Sequence, residues 1–269
     1  MRTPIIAGNW KMNMTIADGV ALVETLKSAL NGVEGAVGAV CPPFTLLKPI
    51  ADALAGSKIQ LGAQDMFWEA KGAFTGQISG TMLQDVCCTY VIIGHSERRG
   101  RFGAVPAGWS DEMLTAFGDN DTVVNRKVHA AFTYNLTPIM CCGETIDERE
   151  RGITDDVVSN QIRLGLANLT TEQVASMVIA YEPVWAIGTG KVCDPAEGNR
   201  VIGIIRRTVR EQFGDAADAV RIQYGGSATP ENIAEIMAQP EIDGALVGGA
   251  ALKPGFADMV KAAAAAGGK

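Results

Sequence analysis

Eight short apolar runs recur along the chain, and each stops before glycine, proline or a polar residue. The runs are rich in Val, Ile or Ala and do not alternate apolar with polar residues, which is typical of strands buried on both faces. They cover residues 5–7, 38–41, 59–63, 90–93, 138–142, 177–181, 220–224 and 245–247. The pattern therefore predicts the strands of a parallel sheet.

The segments between these runs have helical patterns. Residues 18–30 place Leu22, Leu26 and Leu30 on one side of a helix. Asp194-Pro195-Ala196-Glu197 has the order of an N-cap, a first-turn proline and a capping-box glutamate, and Thr229-Pro230-Glu231-Asn232 is expected to open another helix in the same way. Eight alternating units within 269 residues predict an α/β fold, a closed (β/α)8 barrel forming a single domain over residues 1–269.

Composition and charge exclude several classes of protein. The net charge of −7 argues against a nucleic-acid partner, and the apolar runs are too short for a membrane span. The first residues lack a signal-peptide cleavage site, so we expect a cytoplasmic protein. Six cysteines without a C-x-x-C pair, together with two histidines, predict no structural zinc site.

Polar residues that follow the runs are candidates for chemistry, because the active site of such a barrel lies at the carboxyl ends of the strands. These candidates are Asn9, Lys11, Gln64, Asp65, His95, Ser96, Glu97, Glu144 and Glu182. Three loops after the last strands contain glycines, at residues 186–190, 225–227 and 248–249. Because glycine lets backbone N–H groups approach an anion closely, the three loops together predict a phosphate site.

His95 and Glu182 are the strongest candidates for proton transfer. His95 precedes a predicted short helix, whose N-terminus disfavours the imidazolium and leaves a neutral ring that can donate a hydrogen bond. Glu182 directly follows a buried strand, and partial burial is expected to raise its pKa toward that of a general base. Lys11 is placed to hold a phosphate or a developing oxyanion. His129 lies within a predicted helix, where a structural role is expected.

Several of these residues stand in motifs that resemble the triosephosphate isomerase family across nearly the whole chain. The motifs are AGNWKMN at 7–13, GAFTG at 72–76, IGHSERR at 93–99, AYEPVWAIGTGK at 180–191, YGGS at 224–227 and LVGGA at 246–250. The resemblance implies an isomerase that interconverts dihydroxyacetone phosphate and D-glyceraldehyde 3-phosphate through an enediolate, in glycolysis and gluconeogenesis, without a metal or organic cofactor.

The resemblance also implies a role for each matching residue. Glu182 would be the base and His95 the neutral electrophile, a pairing known from this family, with Asn9 and Lys11 binding and stabilising the enediolate. Phosphate would be bound by Gly188, Ser227, Gly248 and Gly249, and residues 184–189 would form the lid. The family is typically homodimeric. The loop that carries Thr75 would dock beside the partner's active site, near Asn9, Lys11 and Glu97.

One segment departs from the family pattern. Residues 104–118 form an insertion of about fifteen residues, in which Ser110 is expected to cap a helix that presents Met113, Leu114 and Phe117 as an apolar stripe. This stripe would fold back onto the barrel or offer a contact surface.

Two alternatives to the triose phosphate reaction remain at the level of the sequence. Another phosphorylated-sugar isomerase on the same barrel would use a pair of aspartates at the strand ends, where this chain has His95 and Glu182. A catalytically silent sugar-phosphate binder would use the insertion as its docking surface.

Overall fold

The computed structural model describes residues 2–269. Its strands are parallel and form a closed barrel in sequence order, with the last strand paired to the first, so the predicted (β/α)8 architecture is confirmed. The strands are β1 (Ile5–Asn9), β2 (Val37–Cys41), β3 (Gln60–Ala63), β4 (Tyr90–Ile93), β5 (Thr137–Cys142), β6 (Val178–Tyr181), β7 (Arg221–Tyr224) and β8 (Gly244–Val247).

Helices separate the strands and cover the outside of the barrel. The α-helices are α1 (Ile16–Leu30), α2 (Leu47–Ala53), α3 (Gly80–Asp85), α4 (Asp111–Leu114), α5 (Asp121–Thr133), α6 (Ile146–Glu150), α7 (Thr154–Gly165), α8 (Thr171–Ser176), α9 (Pro195–Phe213), α10 (Ala216–Ala219), α11 (Ile233–Ala238) and α12 (Phe256–Ala266). Short 3-10 helices span Phe44–Leu46, Ser96–Arg99, Thr115–Phe117, Val184–Ala186 and Gly249–Leu252. Within residues 2–269, no helix combines the length and the apolar character needed to cross a membrane.

The apolar runs lack alternation because both faces of each strand are buried. In β1, Ile5 and Ala7 pack with side chains of other strands inside the barrel, while Ile6 packs outward against the helix layer. In β6, Val178 and Ala180 point inward in the same way, and Ile179 points outward. The barrel interior is therefore a packed core below the active-site end.

The predicted helix starts agree with the structure in part. Helix α1 begins at Ile16, two residues before the predicted start, because Thr15 and Asp18 form a capping box. Asp194 caps α9, with Pro195 in its first turn, but Glu197 instead pairs with Arg149 and Arg200.

The helix predicted from residue 229 begins later. Helix α11 starts at Ile233, because residues 229–232 form turns in which the Thr229 N–H donates to Asn232 Oδ1 over 2.8 Å. The proline that suggested the helix start lies within these turns.

The segment 104–118 contains the predicted short helix, here α4. Ser110 caps it by accepting a hydrogen bond from the Met113 N–H, and both Leu114 and Phe117 are half-buried. Met113 points to solvent with 53% of its surface exposed, so the stripe folds back only in part. That this segment is an insertion relative to the family stays a prediction.

Candidate active site

All eight residues predicted to bind or react with substrate line one cavity at the carboxyl ends of the strands. The cavity has a volume of about 380 Å³. The eight are Asn9, Lys11, His95, Glu182, Gly188, Ser227, Gly248 and Gly249. The structure therefore brings together residues that lie up to 240 positions apart in the chain.

Strand geometry explains why these side chains reach the cavity. Side chains alternate between the two faces of a strand, so every second residue points into the barrel. Ile5 and Ala7 point inward and Asn9 follows at the same spacing, while Val178 and Ala180 lead to Glu182 in the same way. The inward faces of β1 and β6 thus continue into the cavity with a polar group.

The Glu182 carboxylate is held by donors from the segment that follows β4. One carboxylate oxygen accepts the Ser96 backbone N–H over 2.9 Å, and the other accepts the Ser96 hydroxyl over 3.1 Å. His95 Nε2 lies 2.9 Å from the second oxygen. Glu182 is 2% exposed, so its charge is satisfied almost entirely by these protein groups.

These donors reverse the expected shift of the Glu182 pKa. Burial acts to raise the pKa, as the sequence suggested, but the hydrogen bonds that His95 and Ser96 donate and the charge of Lys11 outweigh it. The pKa of Glu182 therefore lies below its usual value, and the expectation of a raised pKa is wrong for this position of the side chain. The carboxylate is ionised at neutral pH.

His95 is oriented by the short helix that it caps. Its Nδ1 accepts the Glu97 backbone N–H over 3.2 Å, so Nδ1 carries no proton. The proton of the neutral ring then sits on Nε2, the nitrogen that faces Glu182 and the cavity. This tautomer makes Nε2–H available as a donor, and the role of His95 at the substrate carbonyl stays a prediction.

Lys11 is fixed by both its backbone and its charge. Its φ of 52° lies in the left-handed region, which is strained for a residue with a side chain and occurs often at functional sites. The Lys11 N–H donates to Asn9 Oδ1, and its carbonyl accepts from Gln64 Nε2 over 2.9 Å. Its ammonium binds Glu97 over 2.7 Å and is the one positive charge among the described residues that line the cavity.

Glycines form part of the cavity wall. Gly188 stands at the exposed tip of the loop after β6 with a φ of +70°, a conformation that favours glycine. Gly248 lies beside the Lys11 stem, and a Cβ there would make an ordinary contact of 3.7 Å with Lys11 Cε. With Ser227 and Gly249 nearby, this wall offers backbone N–H groups and one hydroxyl to an anion.

A second buried carboxylate, Glu144, anchors the start of the predicted lid. Its Oε1 accepts from Trp185 Nε1 over 2.8 Å and from the Tyr181 hydroxyl over 3.1 Å, and Arg149 lies 3.6 Å away. Its backbone carbonyl accepts the Val184 N–H. Burial raises the pKa of Glu144, although the hydrogen bonds of Trp185 and Tyr181 and the charge of Arg149 oppose the rise.

The two residues predicted at a dimer contact lie outside this cavity. Glu97 lines an adjoining cavity of about 480 Å³, which shares Asn9, Lys11 and His95 with the first. Thr75 is exposed in the loop between β3 and α3. Their role at a dimer contact stays a prediction.

Sequence reasoning named Ser96 and Glu144 as candidates but gave neither a role. Their position after a strand was the available signal, whereas their partners follow from the fold. Gly143 was missed as a close-approach position: a Cβ there would overlap the Glu182 carbonyl oxygen, so no larger residue fits between the ends of β5 and β6. Among residues 2–269, no cluster of three His, Cys, Asp or Glu side chains could hold a metal ion.

Comparison with known proteins agrees with this geometry. The family model "Triosephosphate isomerase" matches residues 4–263. A triosephosphate isomerase of Moorella thermoacetica is 54% identical over 252 residues, which cover 94% of this chain and 95% of that protein. Those of Carboxydothermus hydrogenoformans and Endomicrobium trichonymphae are 52% and 47% identical, and each alignment covers 97% of this chain and 99% of the relative. The chain belongs to the triosephosphate isomerase family.

Proposed function

We propose that the chain interconverts dihydroxyacetone phosphate and D-glyceraldehyde 3-phosphate through an enediolate, and its relatives carry the name triosephosphate isomerase. The observation that carries this proposal is the pairing of an ionised Glu182 with a neutral His95 donor, 2.9 Å apart in a cavity that also holds Lys11 and a glycine wall. Abstraction of a proton beside a carbonyl requires a base and a donor at the carbonyl oxygen, and this pair supplies both.

The reaction is a balanced transfer of one carbon-bound proton. The Glu182 carboxylate takes the proton from the hydroxymethyl carbon, and the electron pair moves onto the carbonyl oxygen. His95 Nε2–H and the Lys11 ammonium stabilise that oxygen's negative charge. Glu182 then returns the proton to the neighbouring carbon. The hydroxyl proton on the first carbon's oxygen passes to the former carbonyl oxygen by way of His95 Nε2, which donates its proton to one oxygen and takes one from the other, so the aldehyde and the new hydroxyl form with both Glu182 and His95 regenerated.

Glu182 must leave Ser96 before it can reach a substrate carbon. In the described position both carboxylate oxygens accept hydrogen bonds from Ser96, which stabilise the charge and weaken the base. Movement away from these donors removes that stabilisation and raises the basicity of the carboxylate. Because Glu182 is followed at once by the segment 184–189, closing of this lid would move the base and exclude water together.

We assign phosphate binding to the glycine wall. Gly188, Gly248 and Gly249 can present N–H groups without a side chain in the way, and Ser227 adds a hydroxyl. Lys11, whose stem passes beside Gly248, contributes the positive charge. This arrangement would place the carbon chain of the substrate between the wall and the pair of Glu182 and His95.

A direct assay tests the proposal. Purified protein is given glyceraldehyde 3-phosphate, and dihydroxyacetone phosphate is followed with a coupled NADH-dependent dehydrogenase. Turnover that Glu182→Gln abolishes supports the proposal, while binding without turnover favours the silent sugar-phosphate binder. Activity only on longer phosphorylated sugars would favour the other isomerase class.

We further propose a cytoplasmic homodimer. Met12, which is 95% exposed, lines the cavity that adjoins the active site, together with the partly exposed Phe44. Phe74, next to Thr75, is also 42% exposed. An apolar surface of this kind favours a contact with a second copy, which sedimentation of the purified protein would detect.

A further inference from the structure

The backbone at Gly103 lies directly against the lid. A Cβ placed on Gly103 would overlap the carbonyl oxygens of Val184 and Ile187, and it would lie 2.9 Å from Thr189 Cγ2. The φ of Gly103 is outside the left-handed region, so close approach and not backbone conformation is what requires glycine here. Gly103 therefore lies against the lid along most of its length, and residues 101–103 are called the lid seat.

The lid seat is fastened to the barrel by Arg101. Its guanidinium donates to the Gly143 carbonyl over 3.1 Å and also pairs with Glu148 in α6. Gly143 in turn lies against the Glu182 backbone. The seat is thus tied to the same loop that supports the base.

The segment 104–118 holds the other side of the lid seat through an aromatic cluster of Phe102, Trp109 and Phe117. The Phe102 ring packs edge-on against Trp109 at 5.7 Å and against Phe117 at 5.5 Å between centroids. Trp109 and Phe117 stack on each other at 5.6 Å. Such aromatic pairs favour these geometries, so the cluster fixes Phe102, which directly precedes Gly103.

We propose that the aromatic cluster and Gly103 stabilise the lid in the position described here, and that residues 104–118 thereby set how readily the lid leaves it. This inference rests on the proposed function for its role in the reaction. Contacts made in one lid position alone increase the population of that position, so their loss shifts the equilibrium away from it. Gly103 is accordingly a positioning residue for the lid.

Limited proteolysis without substrate tests the seat directly. Lys191 is exposed just beyond the lid, and mass spectrometry can follow tryptic cleavage after it, with the exposed Lys58 as an internal reference. Gly103→Ala should accelerate cleavage after Lys191 about fivefold relative to Lys58, because the added methyl group displaces the lid. Trp109→Ala should accelerate it about twofold, because the seat loses its aromatic support.

Gly203→Ala is the matched control. Gly203 lies in α9, where a Cβ meets only Glu241 Cγ at an ordinary 3.7 Å, so this variant should leave lid cleavage unchanged. Trp109 is 39% exposed, so its variant still tests the seat if Gly103→Ala fails to fold. Unchanged relative cleavage in both variants would overturn the proposal.

Kinetics on the same preparations separate the two proposals. A displaced lid should change kcat and KM together in Gly103→Ala, while Gly203→Ala keeps both. If the parent protein is an active isomerase and lid cleavage is unchanged in both variants, only the proposed role of the lid seat is overturned. If the parent protein lacks isomerase activity and the variants still show faster lid cleavage, the role of the lid seat is supported and the proposed function is overturned.

Discussion

Two buried glutamates stand at the ends of neighbouring strands, yet their surroundings differ. Glu182 after β6 accepts hydrogen bonds from Ser96 and lies beside His95, and its pKa is lowered. Glu144, two residues after β5, accepts from the aromatic donors Tyr181 and Trp185, and its pKa is raised. Similar burial thus gives opposite shifts, because the number and polarity of the donors decide which protonation state is stabilised.

The same difference fits the proposed roles of Glu182 as the reacting group and of Glu144 as a supporting one. Glu182 lines the cavity, and its donors lie on a different element, so it can leave them as its own loop moves. Glu144 is 0% exposed, and its Oε2 has no hydrogen-bond partner among the described residues. Because its Oε1 and its backbone carbonyl both bind the start of the lid, Glu144 acts as an anchor.

The identical substitution at both glutamates gives the largest contrast. Glu182→Gln should lower kcat by about 1000-fold, because the amide cannot accept the carbon-bound proton. Glu144→Gln should lower it by less than about threefold, because the amide oxygen still accepts from Trp185. Steady-state assays measure kcat of each variant relative to the parent protein. Equal losses would show that the two carboxylates do not have separate roles.

Removing the partner of Glu182 tests the other half of the reactive pair. His95→Gln should lower kcat by about 100-fold, because a glutamine side chain does not place a donor where Nε2 points. The circular dichroism spectrum should stay that of the parent protein. Loss of the fold would instead assign His95 a structural role, like that of His129, whose Nε2 contacts the Ala167 carbonyl at 3.0 Å outside the cavity.

The sequence predicts much of the candidate site, because the ends of the strands determine which residues lie at the cavity. Glu182 follows an apolar run directly, Asn9 and His95 each follow one after a single glycine, and a closed parallel barrel brings such positions to one end. The glycine loops were predicted for the same reason. The order of strands and helices along the chain was therefore enough to predict which residues line the cavity.

The direction of the Glu182 pKa shift could not be predicted in this way. It depends on the Ser96 N–H and hydroxyl, whose approach follows from the turn that His95 caps 86 residues earlier in the chain. The pairing of Glu197 with Arg149 likewise joins α9 to α6, so the local capping pattern did not reveal it. Contacts between distant elements overrode local signals in both cases.

Weakening the anchor at Glu144 should have an intermediate effect. Trp185→Phe removes the Nε1–H donor and should lower kcat/KM by about fivefold, because the start of the lid is held less firmly. In a double-mutant cycle with Glu144→Ala, the double variant should lose little more than the Glu144 variant alone. Full additivity would mean that the hydrogen bond between Trp185 and Glu144 does not carry the effect.

The smallest expected effect is a pair of opposite pH dependences of stability. The pKa of Glu182 lies below 4.5, the ordinary value, so its stabilising contribution is present above about pH 4.5 and is lost as the pH falls through the folded pKa. The pKa of Glu144 lies above 4.5, so its contribution is present below about pH 4.5 and is lost as the pH rises through the folded pKa.

Urea unfolding of the parent protein and of both Gln variants between pH 4 and pH 7 measures these contributions as differences in the free energy of unfolding. Relative to Glu182→Gln, the parent should gain stability as the pH rises from 4 to about 5 and keep that gain at higher pH. Relative to Glu144→Gln, it should lose stability as the pH rises above about 4.5, because the folded state then has to ionise a carboxyl group whose charged form burial disfavours. Two differences that change in the same direction would contradict the assignment of opposite environments to the two glutamates.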